Sequence, residues 1–316
     1  MTEPADEFSF LPEQAADAGL TGPLPRGERL QIDLADGRVV SGLRWWFDSP
    51  GDRPVVTFLH GAGLNAHTWD TTVIALGLPA LAIDLPGHGD SSWRDDAAYV
   101  GRMLAPDVAA AMTAWTDRPQ VLVGQSLGGL TAAAVAAARP DLVDRLVVID
   151  ITPGLDPNAG AAEIRRFFSG PTDWADRDEL VDRAMAFGLG GGTREKAARG
   201  VYFNSRVRAD GRVEWKHHFA HLAAAASAGD RPPGEGAGSD AVAAVLGEAG
   251  WEDLAAVRAP LQLIRGERGY VTAADVDVFR ERVPAASVLT LAGGHNLQED
   301  APVALAAEVR RAAGKD

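Results

Sequence analysis

The chain has 316 residues, of which 46% are hydrophobic and 23% charged, an ordinary composition for a folded protein with a full-sized core. Its 44 acidic residues outnumber 30 Lys and Arg, and the formal net charge of −14 disfavours binding to nucleic acid or to anionic lipid. The sequence contains no cysteine, which excludes disulfides, thiolate metal sites and a cysteine nucleophile. No apolar run approaches the roughly 20 residues that a membrane span requires.

The N-terminal segment, residues 1–27, mixes acidic residues, Pro and Gly with few apolar positions. We therefore expect a loosely ordered arm. Its first residues are acidic and lack the basic and apolar regions of a secretory signal, so we expect a cytoplasmic protein.

Two patterns predict the strands that follow. An Asp36-Gly37 turn joins two alternating segments, 29–34 and 39–47, which indicates an antiparallel hairpin. Continuous apolar runs, typical of strands buried in a parallel sheet, occur at 54–61, 79–87, 119–126, 144–151, 260–266 and, more weakly, 287–293. Helices are predicted at 99–115, 127–138, 273–283 and 304–312. This alternation predicts an α/β fold with a mostly parallel, doubly wound sheet.

The alternation stops between residues 153 and 258, where no convincing buried strand occurs. Helical pieces are predicted there at 161–168, 177–187 and 215–226, and the Gly- and Pro-rich run 229–240 predicts a loop. We therefore expect residues 28–152 and 259–316 to form the core, and residues 153–258 to form an inserted helical cap.

The strongest motif lies where the strand at 119–126 passes into an Ala-rich helix through Gly124-Gln125-Ser126-Leu127-Gly128. This is the strand–turn–helix setting of a G-x-S-x-G nucleophile elbow. Such a turn lifts the Ser126 hydroxyl above the sheet and directs the free N–H groups of the helix start toward a developing oxyanion. The alternative is a Gly-rich turn with an incidental serine, and the strand-to-helix context argues against it.

Together with this elbow, three more motifs resemble the α/β-hydrolase superfamily, and the resemblance covers the chain from about residue 28. They are His60-Gly61-Ala62-Gly63, the Asp84–Ser91 turn and Gly293-Gly294-His295. The resemblance implies that Ser126 is the nucleophile and His295 its general base. It also implies an oxyanion hole formed by the backbone N–H groups of Leu127 and Ala62, with Gly63 as a weaker candidate.

The acid of the triad departs from the common family pattern. The usual position, just past the strand at 261–265, corresponds to Gly269, although Glu267 lies nearby. Another branch, similar to haloalkane dehalogenases and some lactone hydrolases, takes its acid from the end of the preceding strand. That position is Asp150, 24 residues after Ser126. We favour Asp150 over Glu267 because its surroundings match that branch, and an acid there can orient the imidazole.

A serine at the elbow implies acyl transfer, in contrast to the Asp nucleophile of dehalogenases and epoxide hydrolases. We expect a small-molecule substrate, a carboxylic ester or lactone with an apolar moiety, hydrolysed through an acyl-enzyme without a cofactor. Two alternatives stay open. One is a carbon–carbon bond hydrolase of the meta-cleavage-product type, and the other is a non-catalytic ligand-binding or receptor protein on the same fold.

The cap contains aromatic side chains suited to an apolar pocket, and we take Trp174, Phe187 and Trp215 as substrate-binding candidates. The remaining cap aromatics are Phe167, Phe168, Tyr202, Phe203 and Phe219. His217 and His221 share a helical face, but the HExxH glutamate and any thiolate are missing, so we expect no metal site. The sequence gives no prediction of the oligomeric state.

Overall fold

The computed structural model describes residues 6–155, 170–187, 192–228 and 247–315. The helix predicted at 161–168, the loop predicted at 229–240, and both Phe167 and Phe168 lie outside these ranges. Within them, no helix combines the length and apolar character that crossing a membrane requires.

A sheet of eight strands organises the core, as the sequence predicts. The strands of the described ranges, which include three outside this sheet, are in chain order β1 (Arg26–Asp33), β2 (Val39–Trp46), β3 (Val56–Leu59), β4 (Ala80–Ile83), β5 (Gln120–Gln125), β6 (Val143–Ile149), β7 (Asp173–Trp174), β8 (Ser205–Val207), β9 (Val213–Trp215), β10 (Leu261–Gly266) and β11 (Ser287–Leu291). The large sheet has the order β1-β2-β4-β3-β5-β6-β10-β11. Only the β1–β2 and β2–β4 pairs in it are antiparallel, which confirms the α/β fold with a mostly parallel sheet.

In the described ranges, helices cover both faces of the parallel strands and also occur in the segment between β6 and β10. They are α1 (Leu11–Asp17), α2 (Asp70–Leu76), α3 (Gly101–Trp115), α4 (Leu127–Ala138), α5 (Arg177–Ala186), α6 (Arg194–Asn204), α7 (Phe219–Ala228), α8 (Gly250–Ala256), α9 (Ala273–Arg282), α10 (Leu297–Asp300) and α11 (Pro302–Ala312). One buried cluster joins the sheet to α3 and α4, and a second joins its other face to α2 and α11. Strands β3 to β6 are almost wholly buried because helices cover both of their faces, which accounts for their mostly apolar sequences.

The N-terminal segment differs from the loosely ordered arm that its composition suggested. Residues 7–10 form a 3-10 helix that continues into α1, and Leu11 is only 3% exposed where it packs with Ile74 of α2. Arg199 of the cap helix α6 forms ion pairs with Glu13 and Asp17 at 2.7 and 2.8 Å. Composition missed this because the partners of this short segment lie far along the chain.

The segment 153–258, predicted to form an inserted helical cap, differs from the all-helical expectation in its described residues. Strands β7, β9 and β8 form a three-stranded antiparallel sheet, and the helix predicted at 215–226 begins only at Phe219. Strands of two or three residues are too short to produce a period in the sequence. Helix α8, which falls within the predicted cap range, packs on the core instead, since Trp251 and Leu254 are buried in the cluster around α3 and α4.

Candidate active site

Ser126 lies at the junction of β5 and α4 in a strained backbone conformation, with φ +53° and ψ −122°. Its amide donates a hydrogen bond to the carbonyl oxygen of Ile149 at 3.1 Å. The glycines of the motif are required by space. A β-carbon on Gly124 would lie 2.2 Å from the carbonyl oxygen of Gly128, and one on Gly128 would lie 2.3 Å from that of Leu59. The turn therefore has the geometry of a nucleophile elbow.

The register of the sheet brings the predicted site segments to one edge. Gly124 at the end of β5 pairs with Leu59 of β3, and Gln125 pairs with Ile149 of β6. Ile149 in turn pairs with Ile264 of β10. Because parallel strands end at the same edge, the segments that follow β3, β5, β6 and β10 converge around Ser126.

Asp150 and His295 meet at this edge. The Nδ1 atom of His295 lies 2.8 Å from Oδ2 of Asp150, whose side chain is fully buried, whereas that of His295 is 13% exposed. The carboxylate also accepts hydrogen bonds from the backbone amides of Gly266 and Tyr270, at 2.9 and 2.6 Å. A carboxylate only accepts hydrogen bonds, so Nδ1 carries a proton, and in the neutral form of the ring Nε2 then has the lone pair. A neutral imidazole held in this tautomer can act as a base through Nε2.

The alternative acid, Glu267, does not reach the imidazole. It is exposed, and its backbone amide donates to the carbonyl oxygen of Leu291 at 2.8 Å. At position 269, the usual family site of the acid, the carboxylate of Asp150 occupies the space that a side chain would need. A β-carbon on Gly269 would lie 2.2 Å from Oδ1 of Asp150. Of the two carboxylates that the sequence left open, Asp150 is the one bonded to His295.

The backbone groups predicted for the oxyanion hole follow β3 and β5. Within the described part of the chain, the N–H groups of Leu127 and Ala62 have no hydrogen-bond acceptor. His60 supports the loop that carries Ala62: its Nδ1 donates to the carbonyl oxygen of Gly61 at 2.8 Å, and its Nε2 accepts from the amide of Leu85 at 3.0 Å. Burial lowers the pKa of His60 to about 4, so it is a neutral brace at neutral pH.

Gln125, beside the serine, was not indicated by the sequence as a site residue. Its Nε2 donates to the backbone oxygen of His295 at 3.2 Å and to Oδ1 of Asn296 at 3.3 Å. The Gln125 side chain is 1% exposed and packs against Gly61. It therefore ties the loop of His295 to the nucleophile turn across 170 residues of sequence, a separation that no local pattern reveals.

Tyr270 was also missed. Its ring stacks on the imidazole of His295, with 3.7 Å between the ring centroids and 13° between the planes. Asn204, at the end of cap helix α6, donates from Nδ2 to the carbonyl oxygen of Gly63 and so connects the cap to the oxyanion loop. Each of these roles depends on a tertiary contact, and the only sequence signal for Tyr270 is its place next to the usual acid position.

Two of the three aromatic residues predicted to bind the substrate are packed into a hydrophobic cluster instead. Trp174 and Trp215 are 6% and 3% exposed and pack edge to face, 5.6 Å apart, in a cluster formed by the cap itself. Their packing explains their burial without a substrate, so the geometry gives no support to the proposed contact. Phe187 is half-buried beneath the guanidinium of Arg183, which lies 5.0 Å from its ring centroid.

The cap histidines likewise take structural positions. His217 is fully buried and stacks on Trp215, and burial lowers its pKa well below the ordinary value. His221 lies 3.6 Å from the carboxylate of Glu214. Across the described ranges, no three His, Cys, Asp or Glu side chains are grouped as metal ligands.

The sheet order and the strained serine turn define the class of this protein. The sequence profile of the Alpha/beta hydrolase family matches residues 58–308, and the chain belongs to this family.

Individual relatives narrow the class. Esterase Rv0045c from Mycobacterium tuberculosis is 36% identical over 313 residues, which cover 96% of this chain and 95% of that protein. A solved structure of that esterase superimposes with a TM-score of 0.80 at 34% identity, covering 99% of this chain and 100% of the other. The sn-1-specific diacylglycerol lipase ABHD11 from Mus musculus is 30% identical over 186 residues, 56% of this chain and 59% of that protein. The chain is thus an α/β hydrolase of the esterase type.

Proposed function

We propose that this protein hydrolyses carboxylic esters or lactones with an apolar moiety through a covalent acyl-enzyme formed on Ser126. The observation that carries the proposal is the bond of 2.8 Å between the imidazole of His295 and the buried carboxylate of Asp150. This pair lies at the sheet edge where the strained turn presents Ser126. A serine, an imidazole base and a carboxylate that orients the base are the three groups that activate a hydroxyl for acyl transfer, and all three belong to this sheet edge.

In the acylation step, Oγ of Ser126 attacks the carbonyl carbon while Nε2 of His295 takes its proton. Asp150 stabilises the imidazolium that forms and stays ionised itself. The negative charge that develops on the carbonyl oxygen is met by the free N–H groups of Leu127 and Ala62. Donors aimed in this way contribute about 3 to 4 kcal/mol each to transition-state stabilisation in comparable sites.

The tetrahedral intermediate then collapses. The bond to the alcohol oxygen breaks, and that oxygen takes the proton from His295; in a lactone the alcohol stays attached to the acyl group. Water next attacks the acyl carbon and passes a proton to the same imidazole. The bond from the acyl carbon to Oγ then breaks, Oγ takes that proton from His295, and the acid product leaves with Ser126 restored.

The preference for an apolar substrate rests on the aromatic composition of the cap, in which Phe187 stays a candidate pocket residue. The relatives named an esterase and a diacylglycerol lipase support ester chemistry. The choice between an open-chain ester and a lactone is a matter for substrate screening.

A panel of p-nitrophenyl esters of rising acyl length, together with simple lactones, tests the proposal. We expect multiple turnover by the wild type and a loss of about 10³-fold or more in kcat in Ser126→Ala. Ser287→Ala, which changes an exposed serine on β11, is the matched control and keeps wild-type activity. The proposal fails if no member of the panel is hydrolysed, or if Ser126→Ala remains active. Tight ligand binding that survives Ser126→Ala without turnover would instead favour the receptor alternative.

A further inference from the structure

We infer that Tyr270 is a positioning residue for the reaction: its aromatic ring holds the imidazole of His295 in register and favours the imidazolium that forms during acyl transfer. This inference rests on the proposed function for the identity of the base. The observation behind it is separate, because it is the parallel stacking of the two rings at 3.7 Å and 13°.

Tyr270 contacts both partners of the acid–base pair. Its backbone amide donates to Oδ2 of Asp150 at 2.6 Å, the same oxygen that binds Nδ1 of His295. Its side chain covers one face of the imidazole. The imidazole is therefore positioned by two contacts, the bond from Nδ1 to the carboxylate and the nearly parallel phenol ring. The carboxylate bond alone would leave the imidazole free to tilt about the Nδ1–Oδ2 axis.

The loop that carries Tyr270 is held firmly. The amide of Glu267 donates to the carbonyl oxygen of Leu291 at 2.8 Å, and that of Arg268 donates to Gly293 at 2.9 Å. Both acceptors belong to β11 and the segment leading to His295. The tyrosine and the histidine thus move together with one pair of strands, which keeps the distance between their rings fixed.

The stacking favours the charged form of the histidine. A cation over an aromatic face is attracted by the ring quadrupole, and the attraction grows when the site is shielded from water. The imidazolium exists only from the transition state onward, so this attraction is stronger there than in the ground state. Such an interaction raises kcat and leaves KM nearly unchanged.

The variants Tyr270→Leu and Tyr270→Phe separate the effect of the aromatic ring from the effect of the Tyr270 backbone. Both variants keep the backbone amide that binds Asp150, whereas only Phe keeps the aromatic face. We expect Tyr270→Leu to lower kcat about tenfold, which corresponds to about 1.4 kcal/mol, with KM changed less than about twofold. Tyr270→Phe should stay within about threefold of the wild type. Tyr270→Met serves as a second aliphatic variant if Tyr270→Leu is unstable, and thermal unfolding of each variant shows whether it is folded.

A spectroscopic readout tests the stacking without a substrate. In the proton NMR spectrum, the ring current of Tyr270 should shift the carbon-bound imidazole protons of His295 upfield, and His295→Gln identifies these signals. They should move downfield in Tyr270→Leu and stay near their wild-type positions in Tyr270→Phe. The rate of labelling by a fluorophosphonate, which needs the base but no ester, should fall in parallel with kcat.

These readouts distinguish a failure of this inference from a failure of the proposed function. Wild-type kcat in Tyr270→Leu, equal losses in Tyr270→Leu and Tyr270→Phe, or unshifted His295 signals would overturn the role of the ring. An inactive wild type that still shows the ring-current shift would instead overturn the proposed reaction and leave the stacking in place.

Discussion

Gly269 lies directly against the carboxylate of Asp150, so that a β-carbon at position 269 would fall 2.2 Å from Oδ1 and 2.3 Å from Oδ2. The two positions compete for one volume beside His295. A carboxylate that comes from the end of β6 therefore requires that position 269, three residues past the end of β10, have no side chain. The absence of a side chain at Gly269 therefore goes together with the presence of a carboxylate at Asp150.

Gly269→Ala should disable the site by displacing this carboxylate. The added methyl group cannot coexist with Asp150 in its present place, and a shift of about 1 Å in a catalytic group costs about 10²-fold in rate. We expect a loss of that size in kcat, measured with the ester that the screen identifies as best. Gly200→Ala is the matched control, because no atom lies within 4 Å of its β-carbon position in helix α6. That change should leave kcat unchanged and stabilise the helix by about 0.5 to 1 kcal/mol.

Asp150→Asn and Glu267→Gln test which carboxylate serves the imidazole. An amide at position 150 would direct an N–H group at donors already present, and the expected result is a different tautomer of His295. In comparable triads this change lowers kcat by about 10⁴-fold. Glu267 is exposed and unbonded to His295, so its variant should stay within about twofold of the wild type. Full activity in Asp150→Asn combined with loss in Glu267→Gln would reverse the assignment.

Leu11→Ala tests whether the N-terminal segment is part of the folded protein. Leu11 is 3% exposed and packs with Ala15 and Ile74, so its truncation should lower the free energy of unfolding by about 2 to 3 kcal/mol. Leu24, which is 37% exposed in the same region, provides the control, and Leu24→Ala should cost less than about 0.5 kcal/mol. Urea unfolding followed by tryptophan fluorescence measures both. Equal, small effects would indicate that the segment is loosely attached after all.

Glu7 should make this attachment depend on pH. Burial by itself raises the pKa of Glu7, but hydrogen bonds from His67 and Arg29 outweigh it and lower the pKa from 4.5 to about 2. A group whose pKa is lowered in the folded state stabilises the protein above its unfolded pKa, and this stabilisation disappears as the pH falls toward the folded value.

Glu7→Gln measures this contribution. The difference in free energy of unfolding between the wild type and Glu7→Gln should be larger at about pH 5.5 than at any lower pH, and should shrink steadily from about pH 4.5 downward. The exposed Glu267→Gln serves as reference and should show no such trend. A difference for Glu7→Gln that grows as the pH is lowered would contradict the ion pairs at this position.

The sequence predicted the parts of this fold that have strong local signals. Strands β3 to β6 are continuous apolar runs, the turn at Ser126 lies between such a strand and a long helix, and His295 follows the last strand. The resemblance favoured Asp150 as the acid, but only the structure shows that Gly269 leaves the space that the carboxylate of Asp150 occupies.

Other parts depend on contacts between distant segments. The N-terminal helix is held by Arg199. The imidazole of His295 is stacked on Tyr270, and the backbone of His295 is held by Gln125. Aromatic residues in the cap sequence suggested a pocket, yet Trp174 and Trp215 pack on each other, because a small cap needs its own core. Composition cannot separate a side chain that lines a pocket from one that fills a core.

The central claim is that Ser126 is the nucleophile activated by His295 and Asp150. Its most direct test is mass spectrometry of the protein after reaction with a fluorophosphonate, followed by mapping of the labelled peptide. We predict a single adduct per chain, located on Ser126, formed by the wild type and strongly slowed in Asp150→Asn. An unlabelled wild type, or an adduct on any other residue, would contradict the account.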